Sequence, residues 1–173
     1  MKIWIVLLRG INVGGHHIVP MKDLRQLMED NGFENVSTYI QSGNVVCQYP
    51  TKPEKEIGNL IEKQFGFNPS SFALSAEELQ QAADNSPYPK DGGKTVHFFF
   101  FYEEPKTVDY ELLDSLKTEN ESYQLIGNVF YLYAPDGIGR SKLVEKIPKA
   151  FAKAEMTARN LNTVNKLLEM VKG

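Results

Sequence analysis

The chain has 173 residues, 42% of them apolar and 24% charged, with a net charge of −3. That is the composition of an ordinary globular protein, long enough to bury a core; it excludes a disordered chain and gives no global electrostatic case for nucleic acid. The only cysteine, Cys47, excludes a disulfide framework and suits a reducing cytoplasm. No apolar run approaches the ~20 residues of a membrane span, and Ile3 to Leu8 is too short for the apolar region of a signal peptide. A soluble cytoplasmic protein is expected.

Ile3 to Leu8 is uninterrupted apolar sequence, the pattern of a strand buried on both faces, and Arg9 with a glycine-rich loop to Gly15 follows it. Pro20 opens a helix with Met21, Leu24, Leu27 and Met28 on one face, closed near Gly32. Val36 to Ile40 and Val45 to Tyr49 read as strands joined by a turn at Gln41 to Asn44. Pro53 opens a second helix carrying Ile57, Leu60, Ile61 and Phe65, ended near Gly66, and Ser71 to Leu74 is a short strand.

Ser75 and Glu78 form a capping-box pattern for a third helix, and Ser86 to Gly93 is a Pro/Gly-rich connector. Val96 to Tyr102, with four consecutive phenylalanines, is apolar enough for a central strand. A helix at Tyr110 to Leu116, a hairpin at Tyr123 to Tyr133 and a helix from Ser141 to Ala154 follow; Pro148 is expected to kink or split the last of these. An extended piece at Met156 to Ala158 precedes a final helix with Leu161, Val164, Leu167, Leu168 and Val171 at helical spacing.

The order βαββαβ occurs twice. Tyr39, Gly43, Asn44 and Val45 match Tyr123, Gly127, Asn128 and Val129 at an offset of 84 positions. The expected fold is α+β: a tandem duplication of a ferredoxin-like βαββαβ unit, with antiparallel sheets and helices packed on one face of each. The expected division is residues 1–75 as the first half, 76–93 as helix and connector, and 94–173 as the second half with the C-terminal helix.

Several multi-residue stretches carry a resemblance. Leu7-Leu-Arg-Gly-Ile-Asn-Val-Gly-Gly15, Met21-Lys-Asp-Leu24, Gly32-Phe-Glu-Asn-Val36, Thr38-Tyr-Ile-Gln-Ser-Gly-Asn-Val-Val46, Asp136-Gly-Ile-Gly-Arg-Ser-Lys142 and Thr157-Ala-Arg-Asn-Leu-Asn-Thr-Val164 occur in that order. In these the chain resembles the DUF1697 family over essentially its whole length. The resemblance implies an α+β fold with ferredoxin-like halves. It transfers no catalytic residue, because the family is one of bacterial proteins of unknown function. His16-His17 falls where the family's loop varies.

Charge is uneven along the chain. From Gly139 to Gly173 there are eight basic residues against three acidic ones, a local +5 that leaves −8 for the remainder of a chain of net −3. Such asymmetry suits a small anionic ligand. Arg9 would grip a carboxylate or phosphate while Asn12, Gly14 and Gly15 supply loop donors. The spacing is neither that of a Walker A loop nor that of a dinucleotide fingerprint, and a purely structural connection with Arg9 paired to an acid is the alternative. Asn160 is a natural N-cap; Arg159 before it, with Asn162, Thr163 and Lys166 beyond, would make the helix start an anion cradle. Arg140 and Ser141 would form a third wall, the alternative being a solvated helix start, as it is for the stripe Lys142, Lys146, Lys149 and Lys153.

Other groups read as structural. Gln41, Ser42 and Asn44 read as turn chemistry, the alternative being contact with a ligand, and are expected at the sheet end opposite Arg9. Cys47 is a core thiol, and the tyrosines and phenylalanines are core rather than a nucleobase-stacking face. His97 lies in an aromatic strand, so His16 and His17 lack the further ligands of a metal site. No metal is expected, and nothing fixes a cofactor or the oligomeric state. The functional expectation is binding of a phosphate- or carboxylate-bearing small molecule, such as a nucleotide, between the halves at Arg9, Arg140 and Arg159. The alternatives are an enzyme of phosphoryl or acyl transfer at the same site, or an RNA- or protein-binding adaptor.

Overall fold

The computed structural model describes residues 1–173. The chain runs β1 (Lys2–Leu8), α1 (Met21–Asp30), β2 (Glu34–Tyr39), β3 (Asn44–Tyr49), α2 (Glu54–Phe65), β4 (Ser71–Ser75) and α3 (Ala76–Asn85). It continues with β5 (Val96–Phe101), α4 (Tyr110–Leu116), β6 (Ser122–Ile126), β7 (Val129–Tyr133), α5 (Lys142–Ala150), β8 (Met156–Asn160) and α6 (Leu161–Lys172). Two four-stranded antiparallel sheets result, in the orders β2-β3-β1-β4 and β6-β7-β5-β8. These are the same order twice, so the chain is an α+β fold of two similar halves. By compactness, residues 1–81 with 165–173 form one unit and 82–164 the other, so the last residues of α6 go with the first unit.

In the first unit β1 is the central strand. Val6 and Leu8 of β1, with Val45, Cys47 and Ala73, face α1 and α2 and pack on Leu24, Met28, Ile57 and Ile61. The alternate residues Ile5 and Leu7 are also fully buried, which is why the strand reads as an unbroken apolar run. Pro20 and Pro53 stand immediately before α1 and α2, and Gly66 caps α2 in the left-handed conformation. The capping box forms as the sequence implies: Ser75 Oγ accepts from Glu78 N at 3.1 Å, and Glu78 Oε2 accepts from Ser75 N at 2.9 Å.

In the second unit β5 is central. Phe99, Phe101, Phe130 and Leu132 form one face of the sheet and pack on Leu113 of α4 and on Leu143, Ile147, Ala150 and Phe151 of α5 and its end. On the other face Phe98 meets Tyr131 edge-on at 5.1 Å, and Tyr131 Oη donates to the carbonyl of Ala82 at 2.6 Å.

Three local expectations need correction. The helix expected through Ala154 stops at Ala150, with Pro148 in its last turn and positive φ at Ala152 and Lys153. Without an N–H, Pro148 cannot extend the helical ladder, and the chain turns away instead. The piece expected to end at Ala158 is a full strand through Asn160, because β5 offers an edge that pairs with it from Met156 to Asn160. The third correction concerns the two hairpins. Asn44 is the first residue of β3, opposite both Leu7 and Tyr39, whereas Asn128 is a turn residue between the paired Ile126 and Val129. The ladder places Gly43, not Asn44, where Asn128 stands: Leu8 N donates to Gly43 O and Phe101 N to Asn128 O, each at 2.8 Å. The halves repeat in topology, while the shared Gly-Asn-Val lies one residue out of step.

Candidate functional site

Antiparallel pairing of β1 with β3 brings the end of β1 to the start of β3. The Arg9 loop and the Gln41–Asn44 turn therefore share one end of the sheet, against the expectation that they lie at opposite ends. Arg9 N donates to Ser70 O at 2.9 Å, so the segment before β4 joins them. This end of the first unit is the candidate site.

The loop is built as a small hairpin. Asn12 N donates to His17 O, and His16 N donates to Val13 O, each at 3.0 Å. Gly14 and Gly15 between them have φ of +58° and +75°, the two successive positive values that a mirror-type two-residue turn requires and that L side chains resist. Asn12 staples the hairpin to its surroundings. Its Nδ2 donates to Val19 O at 2.9 Å and to Gln41 O at 2.8 Å, and its Oδ1 accepts from Val19 N at 2.8 Å. Both ends of that amide are spent on backbone groups of Val19 and Gln41, so Asn12 shapes the site. His17 lies flat on Phe67, ring centroids 4.2 Å apart, and ties the hairpin to the segment between α2 and β4.

Arg9 is exposed and enters no ion pair, unlike Arg25, which pairs with Glu29. The amides of Gly10, Gly14 and Gly15 make no hydrogen bond within the chain. Asn44, by contrast, is completely buried, and its Nδ2 donates to Tyr39 O and Ser42 Oγ, which is turn chemistry.

The remaining sequence candidates lie in the second unit. Ser141 caps α5, accepting from Val144 N at 3.2 Å, and its hydroxyl donates to the buried Glu121 at 2.6 Å. Arg140 beside it is exposed, as are Lys142, Lys146, Lys149 and Lys153. Arg159 sits in β8 opposite Phe98, half-buried, with one guanidinium nitrogen donating to the carbonyl of Ala158 at 2.8 Å. Burial pulls its pKa down to about 10, still high enough to keep it charged at neutral pH. Asn160 Oδ1 accepts from Thr163 N at 3.0 Å, the expected cap of α6; Asn162 N donates to Gly93 O, and Thr163 is buried. Ala134 N donates to Thr95 O just before β5, and Asn160 pairs with His97 at its start. Arg159 is thus held in the ladder beside the first residues of β5, whereas Arg9 follows the end of β1.

Cys47 is fully buried, and burial pushes its thiol up to about 12, the behaviour of an inert core residue. His97 is buried with Nε2 unpartnered. Burial lowers its pKa below the ordinary 6.5, a backbone hydrogen bond with Lys94 partly opposing the shift. Between that lowered value and 6.5 the unfolded chain binds a proton that the folded chain refuses, so stability falls as pH drops through this window. The urea midpoint is expected to decline from about pH 7 to about pH 5, with the part of the slope due to this imidazole missing in His97→Gln. Equal slopes in the two proteins would remove His97 as the cause.

No group of three or more His, Cys, Asp or Glu side chains is arranged to hold a metal ion. No helix is long and apolar enough to cross a membrane. None of the curated proteins matches the chain. Among solved structures, a conserved bacterial protein from Streptococcus pneumoniae is 25% identical, with 98% of each chain covered and a TM-score of 0.69. The family model described as protein of unknown function, DUF1697, matches residues 1–131, a span that includes the Arg9 hairpin and the Gln41–Asn44 turn but ends before Asp136–Lys142 and Thr157–Val164. With three quarters of its length and its main loop so matched, the chain belongs to the DUF1697 family.

Proposed function

We propose that the chain binds a small anionic molecule, bearing phosphate or carboxylate, at the end of the first unit's sheet where β1 gives way to the Arg9 hairpin. One observation carries this reading. An exposed arginine with no carboxylate partner stands at the root of a pinned loop whose Gly10, Gly14 and Gly15 amides are unspent. A guanidinium offers a fork of donors to such an anion, and backbone N–H groups already held in place add to it with little further loss of entropy. Asn12 holds the hairpin. A nucleotide is the first ligand class to try.

The test is a thermal-shift and calorimetric series with inorganic phosphate, pyrophosphate, citrate and ATP. At least one of these is expected to raise the melting temperature, and Arg9→Ala is expected to weaken that ligand about tenfold or more, the loss of one or two charge-assisted hydrogen bonds. No stabilisation by any anion, or an Arg9→Ala variant that binds like the parent, would end the proposal. Turnover of a bound ligand would make the site catalytic. Binding of single-stranded RNA that weakens steeply between about 50 and 200 mM salt would replace this reading with the adaptor.

A further inference from the structure

The second face of the first sheet, away from α1 and α2, carries a feature unrelated to Arg9. A cavity of about 340 Å³ opens there, walled on its apolar side by Ile3, Val46, Met170 and Val171. That volume is at the lower end of the range of small-molecule pockets. Its polar side is Asn35, Ser37 and Gln48, Cys47 and the terminal residue Gly173 complete the lining, and none of these side chains is charged.

The polar side is shaped by an irregularity in β2. Pairing shifts by one residue between Glu34 and Ser37, and Asn35 in the bulge takes φ +50°. A bulge re-aims a side chain that regular alternation would place elsewhere, and asparagine tolerates the left-handed conformation better than most residues. Here Asn35 Nδ2 donates to Gln48 Oε1 at 3.0 Å. This bond uses one donor group and one acceptor of the amide pair. Asn35 Oδ1 and Gln48 Nε2 have no other partner in the chain, and the Ser37 hydroxyl makes no hydrogen bond within it. An acceptor and a donor therefore stand side by side at the edge of a cavity of mixed lining whose side chains carry no charge. Exchanging nitrogen and oxygen in both amides leaves the same pair.

We infer that this cavity is a binding site for a small, flat, uncharged molecule with a lactam or primary-amide edge, the class that includes pyrimidine bases and nicotinamide. The N–H and C=O of such an edge complement the unspent Asn35 and Gln48 atoms, and the ring lies against Val46, Met170 and Val171. The site is distinct from the anion site. Gln48 pairs with Ile3 near the start of β1, whereas Arg9 follows its end, about 20 Å along the strand.

Ligand-observed NMR with uracil and nicotinamide tests the inference on the intact chain. At least one is expected to bind, 1,3-dimethyluracil to bind about tenfold more weakly than uracil for want of the N–H, and Gln48→Leu to weaken uracil by a similar factor. Asn35→Gly, which keeps the left-handed backbone and deletes the amide, provides a second variant should Gln48→Leu fold poorly. Arg9→Ala is expected to bind uracil like the parent, so this inference and the anion proposal fail separately. Absence of binding by both probes, equal affinity for dimethyluracil, or full affinity in a folded variant lacking either amide would overturn it.

Discussion

Replacing Gly43 with alanine is expected to cost about 3 kcal/mol of stability in the first unit, and to cost anion binding with it. A Cβ at this position would stand 2.7 Å from Leu8 Cβ and 2.8 Å from Ile11 Cδ1, on backbone with φ +92°. Neither neighbour can give way cheaply. Leu8 is fully buried in the β1 ladder and Ile11 is buried beneath the hairpin, and between them they hold Arg9. Two effects therefore add: the strain of a side chain at positive φ and an overlap in packed core. Gly127, the turn glycine of the second hairpin, separates the two effects, since it has φ +59° and a Cβ added there would meet nothing within 4 Å. Gly127→Ala is expected to cost only about 1 kcal/mol, the conformational part alone. Hydrogen exchange of the β1 and β3 amides, compared with those of β5 and β7, reads both variants. Equal losses would show that Gly43 is ordinary turn chemistry and that the close approach carries no weight.

Phe130→Ala is expected to destabilise the second unit by about 4 kcal/mol. Phe130 is fully buried, edge-on to Phe99 at 5.8 Å and to Phe151 at 5.0 Å, and tilted against Tyr123 at 5.4 Å. Deleting its ring removes the burial, leaves a cavity among rigid aromatic neighbours that cannot collapse into it, and unpairs the two edge contacts. Tyr110, stacked on Tyr123 at 6.3 Å but 48% exposed, is the comparison: its alanine variant is expected to cost less than about 1 kcal/mol. Urea unfolding followed by fluorescence measures both. A loss below about 1 kcal/mol for Phe130→Ala would mean that α5 and the sheet repack around the gap.

The elements that were legible in the sequence are those specified by neighbours along the chain. Six apolar residues ahead of Arg9 identify a strand whose last four, Ile5 to Leu8, are buried on both faces; Pro20, Pro53 and Gly66 mark helix ends by removing a donor or admitting positive φ; Ser75 and Glu78 satisfy one another's backbone. What escaped depends on partners distant in sequence. Strand β8 reaches Asn160 because β5 pairs with it, and that pairing puts Arg159 in a ladder instead of a loop. The hairpin match at Gly-Asn-Val is correct as turn composition and out of step as register, because register is set by cross-strand hydrogen bonds.

The candidate site shows the same division. Arg9 and the glycines stand out as residue types, but their proximity to Gln41, Gly43 and Ser70 follows only from the antiparallel order β3-β1-β4. The topological signal was present in the order βαββ, which sends β3 back alongside β1 and so brings its first residue to the end of that strand. Asn12 has the side chain of a ligand donor, yet it spends that side chain on Val19 and Gln41, and this is what gives the loop one shape. The His17–Phe67 stack has no sequence signal, since neither residue type at that separation implies contact.

The central claim is that Arg9 and the amides of its hairpin receive an anion. Residue-resolved NMR titration of the 15N-labelled chain with inorganic pyrophosphate tests it most directly. The account predicts saturable shifts concentrated at the amides of Gly10, Gly14 and Gly15, with loss of those shifts in Arg9→Ala. Shifts that do not saturate, that gather elsewhere in the chain, or that persist unchanged without the guanidinium would contradict it.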